Sequence, residues 1–164
     1  MFAISTLIRH ELPEDAAAVD ALNEIAFGPG RFAKTAYRLR EGVPCDPALS
    51  FVALAGTRIV GSVRLTPILI GQRPATLLGP LCVHPDAQSR GTGRNLVAAA
   101  LEAATARQAG PVLLVGDRAY YEPLGFAPVP PGAITLPGPV DANRLMIALA
   151  GAAGPFQGPA RRRA

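Results

Sequence analysis

Leu81-Cys82-Val83-His84-Pro85-Asp86-Ala87-Gln88-Ser89-Arg90-Gly91-Thr92-Gly93-Arg94-Asn95-Leu96 is the stretch on which the reading of this chain turns. An apolar strand runs to Pro85, a polar turn follows, and a glycine-rich elbow opens a helix. A strand, glycine loop and helix in that order aim several backbone N–H groups at one point. The first N–H groups of a helix have no partner within it, and the helix dipole favours an anion there. Gly91 and Gly93 carry no side chain to obstruct a phosphate approaching the backbone.

Three glycine loops compete for this pattern. A Walker-type loop needs a lysine after its second glycine, and none is present. The dinucleotide fingerprint G-x-G-x-x-G finds Leu96 where its third glycine belongs. Gln88-Ser89-Arg90-Gly91-Thr92-Gly93 matches Q/R-x-x-G-x-G/A and resembles the pyrophosphate loop of the GNAT superfamily of acyl-CoA-dependent N-acyltransferases. Val83-His84-Pro85 resembles the V-x-P end of that family's fourth strand. Thr92 stands where the family prefers Ile or Val. About thirty residues on, Val115-Gly116-Asp117-Arg118-Ala119-Tyr120-Tyr121-Glu122-Pro123-Leu124-Gly125-Phe126 resembles a second family element, Y-x-x-x-G-F at its end. Its Gly-Asp start replaces the usual upstream Asn and resembles a bacterial subgroup of predicted N-acetyltransferases.

The rest of the chain falls into the same order. Ile4 to Arg9 reads as a strand. A helix starts near Pro13-Glu14-Asp15 and carries Val19, Leu22, Ile25 and Ala26 at helical spacing until Gly28-Pro29-Gly30. A second helix is expected to put Phe32, Ala36 and Leu39 on one face and Arg31, Lys34 and Arg38 on the other. Ser50–Ala55, Ile59–Ile70 and Ala75–His84 are strands joined by short turns, hence antiparallel neighbours. Gly79-Pro80 inside the third implies an edge, a bulge or a strand leaving its neighbour. Gly93–Ala109 is a helix with a stripe of Leu96, Val97, Ala100, Leu101 and Ala104. Val112–Val115 is wholly apolar, as a buried parallel strand is. Asp117–Leu124 suits a short helix, Phe126–Leu136 strand in parts, and Arg144–Ala150 a final strand.

The expected architecture is an α/β fold with a mixed sheet, in the order β-α-α-β-β-β-α-β-α-β-β. It resembles the GNAT fold along its whole length, with strands splayed at the acyl-CoA site. Residues 1–150 are expected to form a single domain, and 151–164, rich in Gly, Ala, Pro and Arg, a mobile tail.

Composition excludes more than it assigns. The net charge is +4, and Arg161, Arg162 and Arg163 contribute three of those charges, so the body is almost neutral. That, with no clustered aromatics, argues against a nucleic-acid partner. Cys45 and Cys82 make no disulfide framework. No run is apolar enough to span a membrane, and the N-terminus has no secretory pattern, so a cytoplasmic protein is expected. His10 and His84 are isolated, which supports no metal site.

The resemblance implies an acetyl-CoA-dependent N-acetyltransferase that uses acetyl-CoA as co-substrate and no metal. Its partners would be acetyl-CoA and an amine acceptor, small molecule or protein amino group, in a monomer or homodimer. It implies that Leu81, Cys82 and Val83 offer backbone groups to the pantetheine arm, that Gln88, Ser89, Arg90, Gly91, Thr92, Gly93 and Arg94 hold the pyrophosphate, and that Tyr121 donates to the departing thiolate. Other readings stay open: glycines serving only a tight turn, Tyr121 as a core aromatic, Cys82 as a small buried hydrophobe, Asp117 as a helix cap. A non-catalytic CoA-binding module is the alternative for the whole chain. No carboxylate lies within Ala75 to Val83. Deprotonation of the acceptor is left to a water chain, Glu24 or Glu41. Arg31, Lys34 and Arg38 suggest an acceptor with an anionic group, against a plain solvated face.

Overall fold

The computed structural model describes residues 6–163 of the chain. Its spine is a pair of long antiparallel strands, β3 (Arg58–Ile70) and β4 (Arg73–Val83). β1 (Thr6–His10) and β2 (Phe51–Ala55) extend the sheet from β3, each antiparallel to its neighbour. On the other side β4 pairs in parallel with β5 (Val112–Val115), which is antiparallel to β8 (Leu145–Ala148), followed by β6 (Ala127–Pro128). The helices are α1 (Ala16–Phe27), α2 (Thr35–Arg40), α3 (Thr92–Ala106) and α4 (Arg118–Tyr121). The mixed α/β order therefore follows the sequence reading.

Alternation along the strands builds two cores. In β5, Val112 and Leu114 face one core and Leu113 the other, as a strand covered on both faces requires. The first core packs under α3, whose Leu96, Val97, Ala100 and Ala104 are wholly buried. Burying a Leu or Val side chain contributes about 1.5–3 kcal/mol, so this stripe anchors the helix. Gly61 on β3 lets it approach: a Cβ there would lie 3.0 Å from Leu96 Cδ1. The second core gathers Leu39 of α2 with Ile68, Ile70, Leu77 and Leu113.

Three sequence expectations need correction. The second helix is two pieces, a 3-10 turn over Pro29–Ala33 and then α2, with Lys34 extended between them. Glycines and a proline at 28–30 start a tight turn that does not run on into a helix. Arg31, Lys34 and Arg38 therefore share no helix face; the side chain of Phe32 lies outside the described residues. Residues 151–164 were expected to be mobile, yet Gly158–Arg162 form β9, antiparallel to the end of β3 and parallel to β7 (Ile134–Thr135). Phe156 and Ala160 supply the core face missed in the sequence, both buried in the second core. The long helix stops at Ala106, short of Ala109. The first strand's opening residues, Ile4 and Ser5, lie outside the described residues.

α1 is set by charge as well as by Val19 and Leu22. Asp15 accepts from the Leu12 N–H and pairs with Arg9 at 2.7 Å. The Arg9 hydrogen bond holds the Asp15 carboxyl below its ordinary range, against the opposing effect of burial.

Candidate active site

The site begins where β4 leaves β5. Their parallel pairing includes Thr76 with Val112 and Leu77 with Leu113, then stops. At the same place β4 carries an extra residue: Val63 faces Leu81 while Leu65 faces Leu78. This is the bulge that Gly79-Pro80 foreshadowed, with Gly79 at φ +138°, a conformation other residues rarely adopt. Divergence opens a cleft of about 1290 Å³. Leu78 to Leu81, Gly116, Tyr120 and Tyr121 line one part of it, and residues of α1, α2 and β3 line the rest.

At the far end of β4 lies the glycine loop. Ser89 sits at φ +65° and Gly91 at φ +78°, and Gly91 is the N-cap of α3 with no side chain bonded to the helix start. A Cβ on Gly91 would meet nothing within 4 Å, so the approach to these backbone N–H groups is open. Arg90 and Arg94 flank it, both exposed. That combination of uncapped helix start, open glycine and two cations fits a pyrophosphate. Gln88 serves differently: its side chain donates to the Val83 carbonyl at 3.1 Å and ties the loop to the strand end. Thr92 is buried, and its hydroxyl finds no partner among the described residues.

Of the strand residues expected at the pantetheine arm, Leu81 lines the cleft, whereas Cys82 faces away. Cys82 is buried against α1, its thiol 3.5 Å from the Leu22 carbonyl, and burial pushes its pKa up to about 11. That makes it a small buried hydrophobe, not a nucleophile. Val83 packs near Gly93, where a Cβ would lie 3.6 Å from its Cγ2.

Two glycines position the tyrosines. A Cβ on Gly93 would lie 2.5 Å from the Tyr120 hydroxyl, and one on Gly116 would lie 2.5 Å from Tyr121 Cε2. Tyr120 and Tyr121 meet edge to face at 4.8 Å, and Tyr121 meets Phe126 likewise at 5.7 Å. The Tyr121 ring thus leans on the first core, yet its hydroxyl makes no hydrogen bond to a described residue. A core tyrosine normally satisfies that group; here Tyr121 lines the cleft. Burial, the dominant cause, with Tyr120 beside it, pushes the Tyr121 phenol up to about 12, so at neutral pH it holds its proton. Asp117 is a cap: its Oδ1 accepts from the Ala119 N–H at 3.0 Å. His84 is also structural, accepting from the Asp86 N–H, and His10 stacks on Phe51.

The opposite wall is charged. Arg64 on β3 donates to Glu11 at 2.9 Å and reaches Asp20 at 3.3 Å. Arg31 pairs with Glu24 and also donates to the Gly28 carbonyl. Arg38 donates to the Pro137 carbonyl and is not among the cleft residues, and Lys34 lies over the Phe27 ring. Neither Glu24 nor Glu41 lines the cleft; Asp20 does. Asn23 lines it too, buried, its side-chain oxygen without a hydrogen-bond partner among the described residues.

Sequence reasoning missed Tyr120, Asn23, Asp20 and above all Arg40. Arg40 lines the cleft with its guanidinium against the bulge; a Cβ on Gly79 would lie 2.8 Å from its Nη1. A signal existed. Arg40 is four residues after Ala36 and next to Leu39, on the edge of the stripe that α2 buries. Among the described residues no group of three or more His, Cys, Asp or Glu could hold a metal ion.

Comparison with known proteins bears on this geometry. A crystal structure of the GNAT-family N-acetyltransferase YhbS from Escherichia coli in complex with CoA superposes with a TM-score of 0.80 over 99% of this chain and 92% of that one, at 23% identity. A GNAT-family acetyltransferase from Brucella melitensis in complex with acetyl-CoA gives a TM-score of 0.71 over 99% and 98%, at 26% identity. In sequence, the chain is 30% identical over 125 residues to the uncharacterized N-acetyltransferase YhbS of E. coli K12, covering 73% of this chain and 72% of that protein. Residues 46–128 match the acetyltransferase (GNAT) domain, from before β2 to the end of β6 and so across both the bulge and the glycine loop. With that match and that relative, the chain belongs to the GNAT family of acetyltransferases.

Proposed function

We propose that this protein is a cytoplasmic N-acetyltransferase that moves the acetyl group of acetyl-CoA directly to a primary amine. The observation that carries the reading is the continuity of the cleft: Leu81 and Tyr121 on one side and Asp20 and Arg64 on the other line a single space. Two substrates that share one space can react with each other without a covalent enzyme intermediate, and the high thiol pKa of Cys82 argues against a cysteine relay. Free Cys45 and Cys82 suit a reducing compartment. The proposed domain takes in β9 with the rest of the sheet.

Acetyl-CoA brings the acetyl group as a thioester whose carbonyl carbon accepts the nucleophile. The backbone of Leu81 to Val83, freed from β5, is assigned to the arm of the cofactor, and Ser89 to Arg94 to its pyrophosphate. The neutral amine forms the new C–N bond as the C–S bond breaks. One amine proton leaves through water, and among the carboxylates that line the cleft Asp20 is the one that caps no helix. Tyr121, protonated at working pH, donates to the thiolate sulfur as charge develops there.

The test couples binding to turnover. CoA should raise the melting temperature, by an amount equivalent to about 2.7 kcal/mol at a hundredfold excess over its Kd. Gly91→Glu should weaken acetyl-CoA binding in calorimetry through steric block and charge. A primary-amine panel should release free thiol. Binding without thiol release from any amine would leave only the non-catalytic CoA-binding module, and wild-type affinity in Gly91→Glu would displace the phosphate loop.

A further inference from the structure

We propose that Arg40 is the anchor for a carboxylate carried by the acceptor, so that the substrate class is an amino carboxylate and not a simple amine or a polycation. This rests on the transferase reading above and deepens it. Most cations in and beside the cleft already have partners. Arg64 is matched by Glu11 and Asp20, Arg31 by Glu24, and Arg38 by the Pro137 carbonyl. Of these guanidinium groups that of Arg40 alone has no ion pair and no hydrogen bond to a described residue, although it is mostly buried.

An unpaired guanidinium is costly to bury, because it gives up water and receives nothing in exchange. Burial pushes its pKa down to about 10, with the nearby Arg64 charge acting the same way and Tyr37 opposing it. It is nevertheless cationic at neutral pH. The side chain is not adrift: α2 is fixed by Leu39 in the second core, and the guanidinium rests against Gly79, where any side chain would collide with it. The fold therefore holds one positive charge at the bulge, in the same cleft as Tyr121.

Carboxylate fits this place better than phosphate. A guanidinium fork accepts a carboxylate with two parallel hydrogen bonds. A phosphate dianion calls for a second free cation beside the first: Arg64, the cation that acts on Arg40 most directly, is already neutralised, Lys34 lies over the Phe27 ring, and the exposed Arg144, which also lines the cleft, is not among the charges that act on Arg40. The buried side-chain oxygen of Asn23, on the same wall, adds a polar neighbour of the kind an amine could use.

The experiment compares ω-amino carboxylates, from glycine to 6-aminohexanoate, with n-alkylamines of matched length. Thiol release is measured in wild type, Arg40→Gln, Arg40→Lys and Arg38→Gln. In wild type one or more amino carboxylates should exceed the matched alkylamine in kcat/KM by roughly 10- to 100-fold, the worth of a charge-assisted hydrogen bond. Arg40→Gln should erase that ratio through the acceptor KM and leave the KM for acetyl-CoA unchanged. Arg40→Lys should recover part of it, and Arg38→Gln should leave it intact.

A second arm needs no turnover: thermal shift of the CoA-saturated protein with the same compounds. Amino carboxylates that stabilise wild type but not Arg40→Gln support the subsite even if no thiol is released, in which case only the transferase reading falls. Alkylamines turned over as well as amino carboxylates, or equal losses for both classes in Arg40→Gln, overturn the subsite and leave the transferase reading standing. Equal thermal shifts for both classes in wild type overturn it as well.

Discussion

Gly116→Ala is the smallest change that reaches the proposed proton donor. The new Cβ would lie 2.5 Å from Tyr121 Cε2, 3.0 Å from its Cδ2 and 3.2 Å from Leu114 Cδ1. Carbon atoms settle at roughly 3.5–4.0 Å, so the ring must retreat by about 1 Å. Leu114 cannot give way, because it is 1% exposed within the first core. The backbone at Gly116 is outside the left-handed region, so alanine itself introduces no conformational strain. Overpacking of this kind costs about 1–3 kcal/mol of stability, which a domain of this size survives. A donor displaced by 1 Å loses far more in rate, about 10²-fold. Steady-state thiol release should show kcat reduced by that factor with the KM for acetyl-CoA little changed, and circular dichroism should show an intact fold. Adding Tyr121→Phe to Gly116→Ala should cost little more, since both act through one hydroxyl. A folded Gly116→Ala enzyme with wild-type kcat would refute the assignment of Tyr121 and the steric reasoning together.

Tyr121→Phe alone keeps the ring and should lower kcat by about 10²-fold with unchanged acetyl-CoA affinity; full activity would return Tyr121 to the role of a core aromatic. Thr92→Val removes a buried hydroxyl without a partner among the described residues, whose desolvation costs about 1–3 kcal/mol, and should raise the melting temperature by a few degrees; a fall would mean that the hydroxyl is satisfied. The Asp15 carboxyl is held low by Arg9, so its stabilising effect is present above the unfolded pKa of about 3.9 and is lost as pH falls through the folded value. The melting-temperature gap between wild type and Asp15→Asn should therefore be full at pH 7 and close below about pH 4; a gap independent of pH would show that the ion pair is not its source.

Local chemistry explains which parts of the molecule could be read from the chain. The glycine loop and the bulge at Gly79-Pro80 were legible because each depends on a few adjacent residues with restricted or unusual backbones. The stripe of α3 was legible because its periodicity is long. β9 was not, because its partners are the end of β3 and the two residues of β7, and nothing in Gly158–Arg162 alternates strongly. The break at Lys34 was invisible for a similar reason: helical spacing of the charges continued across a turn that the backbone does not follow. In the site, Tyr121 was singled out through its motif, but the glycine at 116 that makes room for it acquires meaning only when the ring is placed. Arg40 escaped because an arginine reads as solvated until its neighbours are known, and what distinguishes it is that no acid among the described residues pairs with it.

The pairing of β9 with β3 has a consequence for biosynthesis. The second core receives Ala160 from β9 and Phe156 from the segment just before it, while most of its other members lie between Leu39 and Leu145. A growing chain can assemble β1 to β4 and bury one face of that sheet long before residues 158–162 leave the ribosome. Until they do, the edge of β3 at Ile68–Ile70 presents bare N–H and C=O groups beside an incomplete apolar face. The nascent protein therefore passes through a stage at which that edge is open to any extended segment. The cationic side chains of Arg161 and Arg162 mark the strand that closes it, and charge on an edge strand discourages the same pairing between neighbouring molecules.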